Sequence, residues 1–264
     1  MASPVVSQQD IDAYQREGVV VIRGLFAEHV DALRAGVQAN MDAPGPYASE
    51  NEKAGETGRF FDDYCNWQRI PEFADVLKDP VIIQTAADLM GSGQVQMFHD
   101  HVLVKEPGTS MATPWHSDGP YYFVDGVQTI SFWVPLDPVT DASLRCVAGS
   151  HRWEKDVLPT RWVSEAAFFE GDYMAVPDPD AEAMTIREWA MEPGDAVAFH
   201  FRTLHGARGN TSDERRRAFS LRLVGDDARY VERPGPTSPP FPGHKMTQGQ
   251  RLREDWFPVL KQGQ

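Results

Sequence analysis

The sequence predicts an α+β fold in which helices come first and strands that pack sheet upon sheet follow. Three observations carry this expectation. Helical periodicity is confined to the first third of the chain; the segments after Gly93 alternate or run apolar over strand-like lengths; and no regular strand–helix–strand repetition links the two halves.

Each element has a local reason. Ser7-Gln8-Gln9-Asp10 reads as the N-cap region of a short helix reaching about Arg16, because a serine hydroxyl can accept from the open N–H groups of a first turn. Gly18 stops that helix, and Val19-Val20-Val21-Ile22 reads as a buried strand. Residues 24–40 read as a second helix with Val30, Leu33 and Val37 at helical spacing, ended by Pro44, Gly45 and Pro46. Residues 71–90 look helical again, Pro80 interrupting or opening a further helix. Residues 94–105, 129–135, 196–201 and 218–224 read as strands separated by Gly, Pro, Asp and Asn clusters. The proline-rich stretch 234–242 is a loop or tail wrap, since too little chain follows it to fold alone. A single domain over residues 1–264 is the expectation.

Composition excludes several classes. With 41% hydrophobic residues the chain buries a core, and it has no apolar run long enough to span a bilayer. A formal charge of −14 repels phosphate backbones and anionic lipid, and the densest basic run, Arg215-Arg216-Arg217, is short. Neither nucleic acid nor membrane is therefore expected as a partner. Cys65 and Cys146 form neither a disulfide framework nor a zinc ribbon and are assigned to packing. The opening residues lack a basic stretch followed by an apolar one, so a cytoplasmic location is expected.

The chemistry concentrates in Thr113-Pro-Trp-His116-Ser-Asp118-Gly119. On a strand, His116 and Asp118 project to one face and can offer an imidazole and a carboxylate to a divalent metal. The best third donor is His205. Two histidines and a carboxylate on one octahedral face leave the other positions open, which suits a non-haem Fe(II) that must bind a co-substrate and O₂. His99-Asp100-His101 is a rival, because its two histidines are also same-face neighbours. Downstream, the turn 206–215 leads into a strand. Phe219, Leu221 and Leu223 share one face and Arg216, Ala218 and Ser220 the other, so Arg216 can point inward and grip a carboxylate beside two small residues. Arg215 reads as a solvated turn charge, and for Arg217 that reading stays open.

Together these segments resemble the phytanoyl-CoA dioxygenase (PhyH-like) family: Pro114-Trp-His-Ser-Asp118, Ser131-Phe-Trp-Val-Pro-Leu-Asp137, Ala142-Ser-Leu-Arg-Cys-Val-Ala-Gly-Ser-His151, Gly194-Asp-Ala-Val-Ala-Phe199, His205-Gly206, and Asn210-Thr-Ser212 followed by Arg216-Arg-Ala-Phe-Ser-Leu-Arg222. They run in family order from about Gln94 to Tyr230, and the N-terminal helix–strand–helix is also similar. The resemblance implies a double-stranded β-helix (jelly-roll) core flanked by N-terminal and inserted helices. It implies an oxygenase using Fe(II) and 2-oxoglutarate, with His116, Asp118 and His205 as iron ligands and Arg216 holding the distal carboxylate of 2-oxoglutarate. Trp133 matches an aromatic position near the co-substrate, and Thr129, on the same strand face, is a candidate hydroxyl donor.

Two departures stand out: Ala148 opens the Gly-Ser-His turn, and Ala207 removes a hydroxyl that relatives can offer the co-substrate. Because Asp118 occupies the carboxylate position that halogenating relatives leave small, the resemblance implies hydroxylation or desaturation of a small organic molecule, with succinate and CO₂ as co-products. Lys105, His101 and Tyr121 are candidate substrate contacts, Lys105 at the barrel mouth toward an anionic group. Trp115, Tyr122, Phe123, Trp153 and Trp162 add aromatic surface, while His29, His151, His200 and His244 are read as structural or surface residues. Two alternatives stay open: a cupin-type metal enzyme built on His99 and His101, and a silent binding protein of the same fold, although no ligand is lost.

Overall fold

In the computed structural model, which describes residues 6–51, 54–55, 57–140 and 144–262, the helices gather in the first third of the chain. Helix α1 (Gln8–Glu17) opens on Ser7, whose hydroxyl accepts from the Asp10 N–H while the Asp10 carboxylate accepts from the Ser7 N–H, and it ends at Gly18 with φ 73°. Helix α2 (Val30–Asp42) begins six residues later than the spacing of apolar residues suggested, behind a 3₁₀ turn at Ala27–His29. The delay has a cause. Gly24 N–H is held by the Asp195 carboxylate and Phe26 N–H by the Gly194 carbonyl, which ties this stretch to a distant loop instead of a helical ladder. Residues 71–90 divide at Pro80 into α3 (Pro71–Val76) and α4 (Pro80–Met90), each with proline in its first turn. His29, read as a surface residue, pairs with Asp79 at 2.7 Å and fastens the start of α2 to the cap of α4.

The strands in chain order are β1 (Val19–Ile22), β2 (Ser49–Glu50), β3 (Phe60–Tyr64), β4 (Val95–Lys105), β5 (Thr113–His116), β6 (Val124–Asp125) and β7 (Thr129–Pro135). They continue as β8 (Leu144–Val147), β9 (Ile186–Arg187), β10 (Ala196–Phe199), β11 (His205–Ala207), β12 (Arg216–Val224), β13 (Arg229–Tyr230) and β14 (Val259–Lys261). One antiparallel sheet runs β1-β10-β7-β12-β4-β3-β2, with β14 added to β4, and a second runs β5-β11-β8-β9. These are the two walls of a jelly roll. The second wall is made of strands of four residues or fewer, too short for alternation to announce them. β3 was hidden for another reason: it reads Phe-Phe-Asp-Asp-Tyr, and its buried Asp62 and Asp63 are accommodated by Asn51 and by Asn40 with the Gly45 N–H.

β12 organises the large sheet. Its outward residues Phe219, Leu221 and Leu223 join the core beneath the helices, Phe219 packing on Phe73 with ring centres 4.9 Å apart. Its inward residues meet β4 and β7 in rows: Arg216 beside Lys105, Ala218 between Leu103 and Pro135, Ser220 between His101 and Trp133, Arg222 between His99 and Ser131. Arg217, on the outward face, gives its backbone N–H and its guanidinium to Asp137, and Arg215 pairs with Glu106. Neither is a free turn charge. Since Phe219 is fully buried, Phe219→Ala should lower the unfolding free energy by about 3–5 kcal/mol, measured by urea titration with the slope unchanged.

Candidate metal centre

His116 ends β5, His205 begins β11, and the two are direct register partners. Their rings stand 4.2 Å apart. Each uses Nδ1–H to hold a backbone carbonyl two residues earlier in the chain, His116 to Pro114 at 2.8 Å and His205 to Thr203 at 2.9 Å. That fixes the tautomer, so each ring keeps a lone pair on Nε2. Asp118 arrives differently from the strand alternation expected of it. β5 has already ended, and Asp118 adopts φ −68°, ψ −40° at the head of a 3₁₀ turn over Gly119–Tyr121, whose first N–H is held by the Phe201 carbonyl. The turn, not the pleat, brings the carboxylate round.

Asp118 Oδ1 lies 3.7 Å from His116 Nε2 and 3.9 Å from His205 Nε2, and the three donors lie within 4.8 Å of one another. Its other oxygen is engaged from behind: Ser131 Oγ donates at 3.3 Å, Arg222 Nε stands at 3.5 Å, and the Tyr122 hydroxyl also hydrogen-bonds to the carboxylate. All three donor residues are buried. Burial pushes the Asp118 carboxyl up, but the Arg222 guanidinium beside it leads the opposing interactions, and the group is held well below the usual carboxylate range. Burial first, and then His205, hold His116 down to about 3; burial also lowers His205. Two neutral imidazoles and one ionised carboxylate are the protonation state a divalent cation requires, so the donor set fits an Fe(II)-type ion. Among the described residues no other group of three such donors converges. The rival pair does not: His101 Nε2 is spent on Asp62 at 3.0 Å, and His99 faces the cavity without a companion ligand.

A cavity of about 440 Å³ opens beside the triad. Arg216, Trp133, His101 and Tyr121 line it. Lys105 is corrected: it is no mouth residue but is buried next to Arg216, over the Phe60 ring at 4.3 Å, and both cations donate to the Arg208 carbonyl. Burial and then Arg216 depress the Lys105 ammonium, and burial holds Arg216 down to about 10. Two desolvated cations side by side favour an anion. Thr129 is corrected too. It is absent from the cavity wall, and its hydroxyl accepts the Phe201 N–H at 3.3 Å. Tyr121 Oη donates to the Thr160 carbonyl and accepts the Thr160 N–H, which pins the segment that sets Trp162 5.3 Å from His116. Arg222, Asp62 and Thr113 were missed as site residues. Arg222 shares the parity of Arg216 and could have been found by extending it; Thr113 becomes visible only through its register with Ala207.

The family model of phytanoyl-CoA dioxygenase (PhyH) matches residues 14–218. The chain belongs to the PhyH family. Similar curated proteins include a probable phytanoyl-CoA dioxygenase of Caenorhabditis elegans, 25% identical over 88% of this chain and 80% of that protein. Another is the L-proline trans-4-hydroxylase of Streptomyces griseoviridis, 28% identical over 59% of this chain and 61% of that protein. Among solved structures, the non-haem α-ketoglutarate-dependent carbocyclase SnoK from nogalamycin biosynthesis superposes with a TM-score of 0.75 at 26% identity over 96% of each chain. The epimerase SnoN, in complex with Fe³⁺, α-ketoglutarate and nogalamycin RO, shares the fold with a TM-score of 0.77 at 23% identity, over 96% of this chain and 98% of its own. Family and fold are thus those of iron- and 2-oxoglutarate-dependent non-haem oxygenases. Among the described residues no helix is long and apolar enough to cross a membrane.

The depressed histidines make a pH prediction for the metal-free PhyH protein. His116 and His200, each held down to about 3, stay neutral when folded but charge on unfolding below about 6.5. The unfolded chain then binds more protons, so stability is lost as pH falls. From pH 7.5 to 5.5 each costs about 1.4 kcal/mol. Asp100, raised to about 6 by burial, works the other way and returns about 1 kcal/mol. His99 and His205, also depressed by burial, add to the loss, so urea melts should show a net loss of at least about 2 kcal/mol at pH 5.5.

Proposed function

We propose that the whole chain is one Fe(II)- and 2-oxoglutarate-dependent dioxygenase that hydroxylates or desaturates a small organic molecule. His116, Asp118 and His205 hold the iron. One observation carries the reading: two Nε2 lone pairs and one carboxylate oxygen converge, their far sides already anchored, in the same cavity as a buried Arg216–Lys105 pair. When bound, iron with 2-oxoglutarate and O₂ supplies the oxidising power, giving succinate, CO₂ and an oxidised substrate.

The chain's own residues supply geometry. Arg216 and Lys105 neutralise the distal carboxylate of the keto diacid, and Trp133, with small Ala218, shapes its slot. Thr113 takes over the hydroxyl contact that Ala207 lacks, because it is the cross-strand partner of Ala207 and lines the same wall. Ser131, Tyr122 and Arg222 hold Asp118 so that a single oxygen faces the metal. Trp162 and the segment latched by Tyr121 exclude water above His116. Asp118 fills the carboxylate position and leaves none for a halide, and the likeness to L-proline trans-4-hydroxylase supports C–H hydroxylation.

Anaerobic Fe(II) with 2-oxoglutarate should give a weak visible charge-transfer band, lost in the double variant His116→Ala, Asp118→Ala; survival of the band there would overturn the metal assignment. Arg216→Gln should raise half-saturation by 2-oxoglutarate about 10- to 100-fold, and Thr113→Val about three- to tenfold, with iron affinity unchanged in the same titrations. Succinate release on exposure to pools of small molecules identifies the substrate.

A further inference from the structure

Two buried polar atoms in residues of the cavity wall have no hydrogen-bond partner: Nη1 of Arg222 and Nε2 of His99. They belong to one place. Arg222 and His99 are direct partners across β12 and β4, in the row that also carries Ser131. Polar atoms buried without a partner are costly and uncommon, so two together mark a position that a ligand completes.

One nitrogen of each side chain is already engaged. Arg222 Nε donates to the Tyr122 hydroxyl at 2.6 Å and stands 3.5 Å from Asp118, whose carboxylate balances its charge. His99 Nδ1–H donates to the Asp100 carbonyl at 3.1 Å, so Nε2 carries the lone pair. Burial, and then the neighbouring guanidinium, keep that ring neutral. What remains is the Nη1 end of a guanidinium, which can only donate, and one acceptor lone pair on His99, with Asp118 already balancing the positive charge. A carboxylate would satisfy Arg222 but turn lone pairs toward His99. An ammonium would satisfy His99 but turn protons toward Arg222. A neutral group that both accepts and donates satisfies both.

We propose that Arg222 and His99 form the substrate-recognition subsite, and that it takes an alcohol hydroxyl or a primary carboxamide on an uncharged carbon skeleton. The proposal rests on the iron and 2-oxoglutarate reading, which makes the cavity beside the triad the substrate chamber. Because Arg222 also holds Asp118, a group bound there presents its neighbouring C–H bonds to the metal. Tyr47, Tyr64, Trp162 and Phe168 in the same wall offer ring faces and edges to the carbon skeleton.

The test uses four matched probes: cyclohexanol, cyclohexanecarboxamide, cyclohexanecarboxylate and cyclohexylammonium. Binding is read in two ways, as a change in the visible band of the anaerobic Fe(II)–2-oxoglutarate protein and by ligand-observed NMR with Zn(II) in place of iron. The alcohol and the amide should bind at least about tenfold tighter than the two ions. His99→Phe, which keeps a ring and removes the acceptor, should weaken the alcohol about five- to tenfold while half-saturation by Fe(II) and 2-oxoglutarate stays unchanged. Tightest binding by either ion, no binding by any probe, or an unchanged ranking in His99→Phe overturns the subsite. Failure of the band before any probe is added counts against the iron reading alone, and the NMR ranking still decides the subsite.

Discussion

The register that sets His116 opposite His205 is the constraint on which the rest depends. β11 is three residues long and cannot hold itself, so its approach is fixed from outside. Ser150 Oγ donates to the Val147 carbonyl and accepts the Leu204 N–H; Thr203 Oγ1 donates to the Gly18 carbonyl, while its own carbonyl holds His205 Nδ1. The His205 imidazole is therefore wired to the junction of α1 and β1. That explains Gly18 beyond its φ of 73°: a Cβ there would come within 2.7 Å of Thr203 Oγ1 and closer still to His151. A helix cap nearly two hundred residues away thus sets the aim of a ligand.

The charge of the interior runs against that of the surface. A chain of net charge −14 lines its cavity with Arg216, Lys105 and Arg222. The outer charge bears on solubility and long-range steering, whereas the recognition of a keto diacid is decided within a few ångströms, where desolvation makes each cation count for more. The two arginines differ in what they face. Arg222 stands 3.5 Å from Asp118 and so acts on the triad, whereas Arg216 donates to the Arg208 carbonyl beside Lys105, at the other end of the cavity-facing row.

What could be read beforehand was whatever rests on periodicity or on a contiguous motif. The division of residues 71–90 at Pro80, the long strands β4, β7 and β12, and the inward parity of Arg216 follow from local rules. The small sheet was illegible because strands of two to four residues have no period to show. Asp118 was reached by the motif but not by the geometry, since β5 ends at His116 and the 3₁₀ turn that follows, not strand parity, brings the carboxylate round. Thr129 failed because parity says which face a side chain takes but not how far along that face the cavity extends: Trp133 borders it, Ser131 touches the ligand shell, and Thr129 lies beyond. Lys105 failed for the complementary reason, since a strand end need not be a barrel mouth when another strand, here β3, covers it.

The alternation along β12 explains why one slip would be fatal to the whole site. Arg216 and Arg222 are six residues apart, about 20 Å of extended chain, and between them stand only Ala218 and Ser220 on the inward face. Two cations at the ends and two small residues in the middle leave room for a co-substrate and a substrate along a single strand. The outward residues Phe219, Leu221 and Leu223 sit in the core beneath the helices and hold that phase. A shift of one residue would bury two guanidiniums among leucines and drive an aromatic ring into the chamber, so the hydrophobic pattern that folds the sheet is also what aims the chemistry.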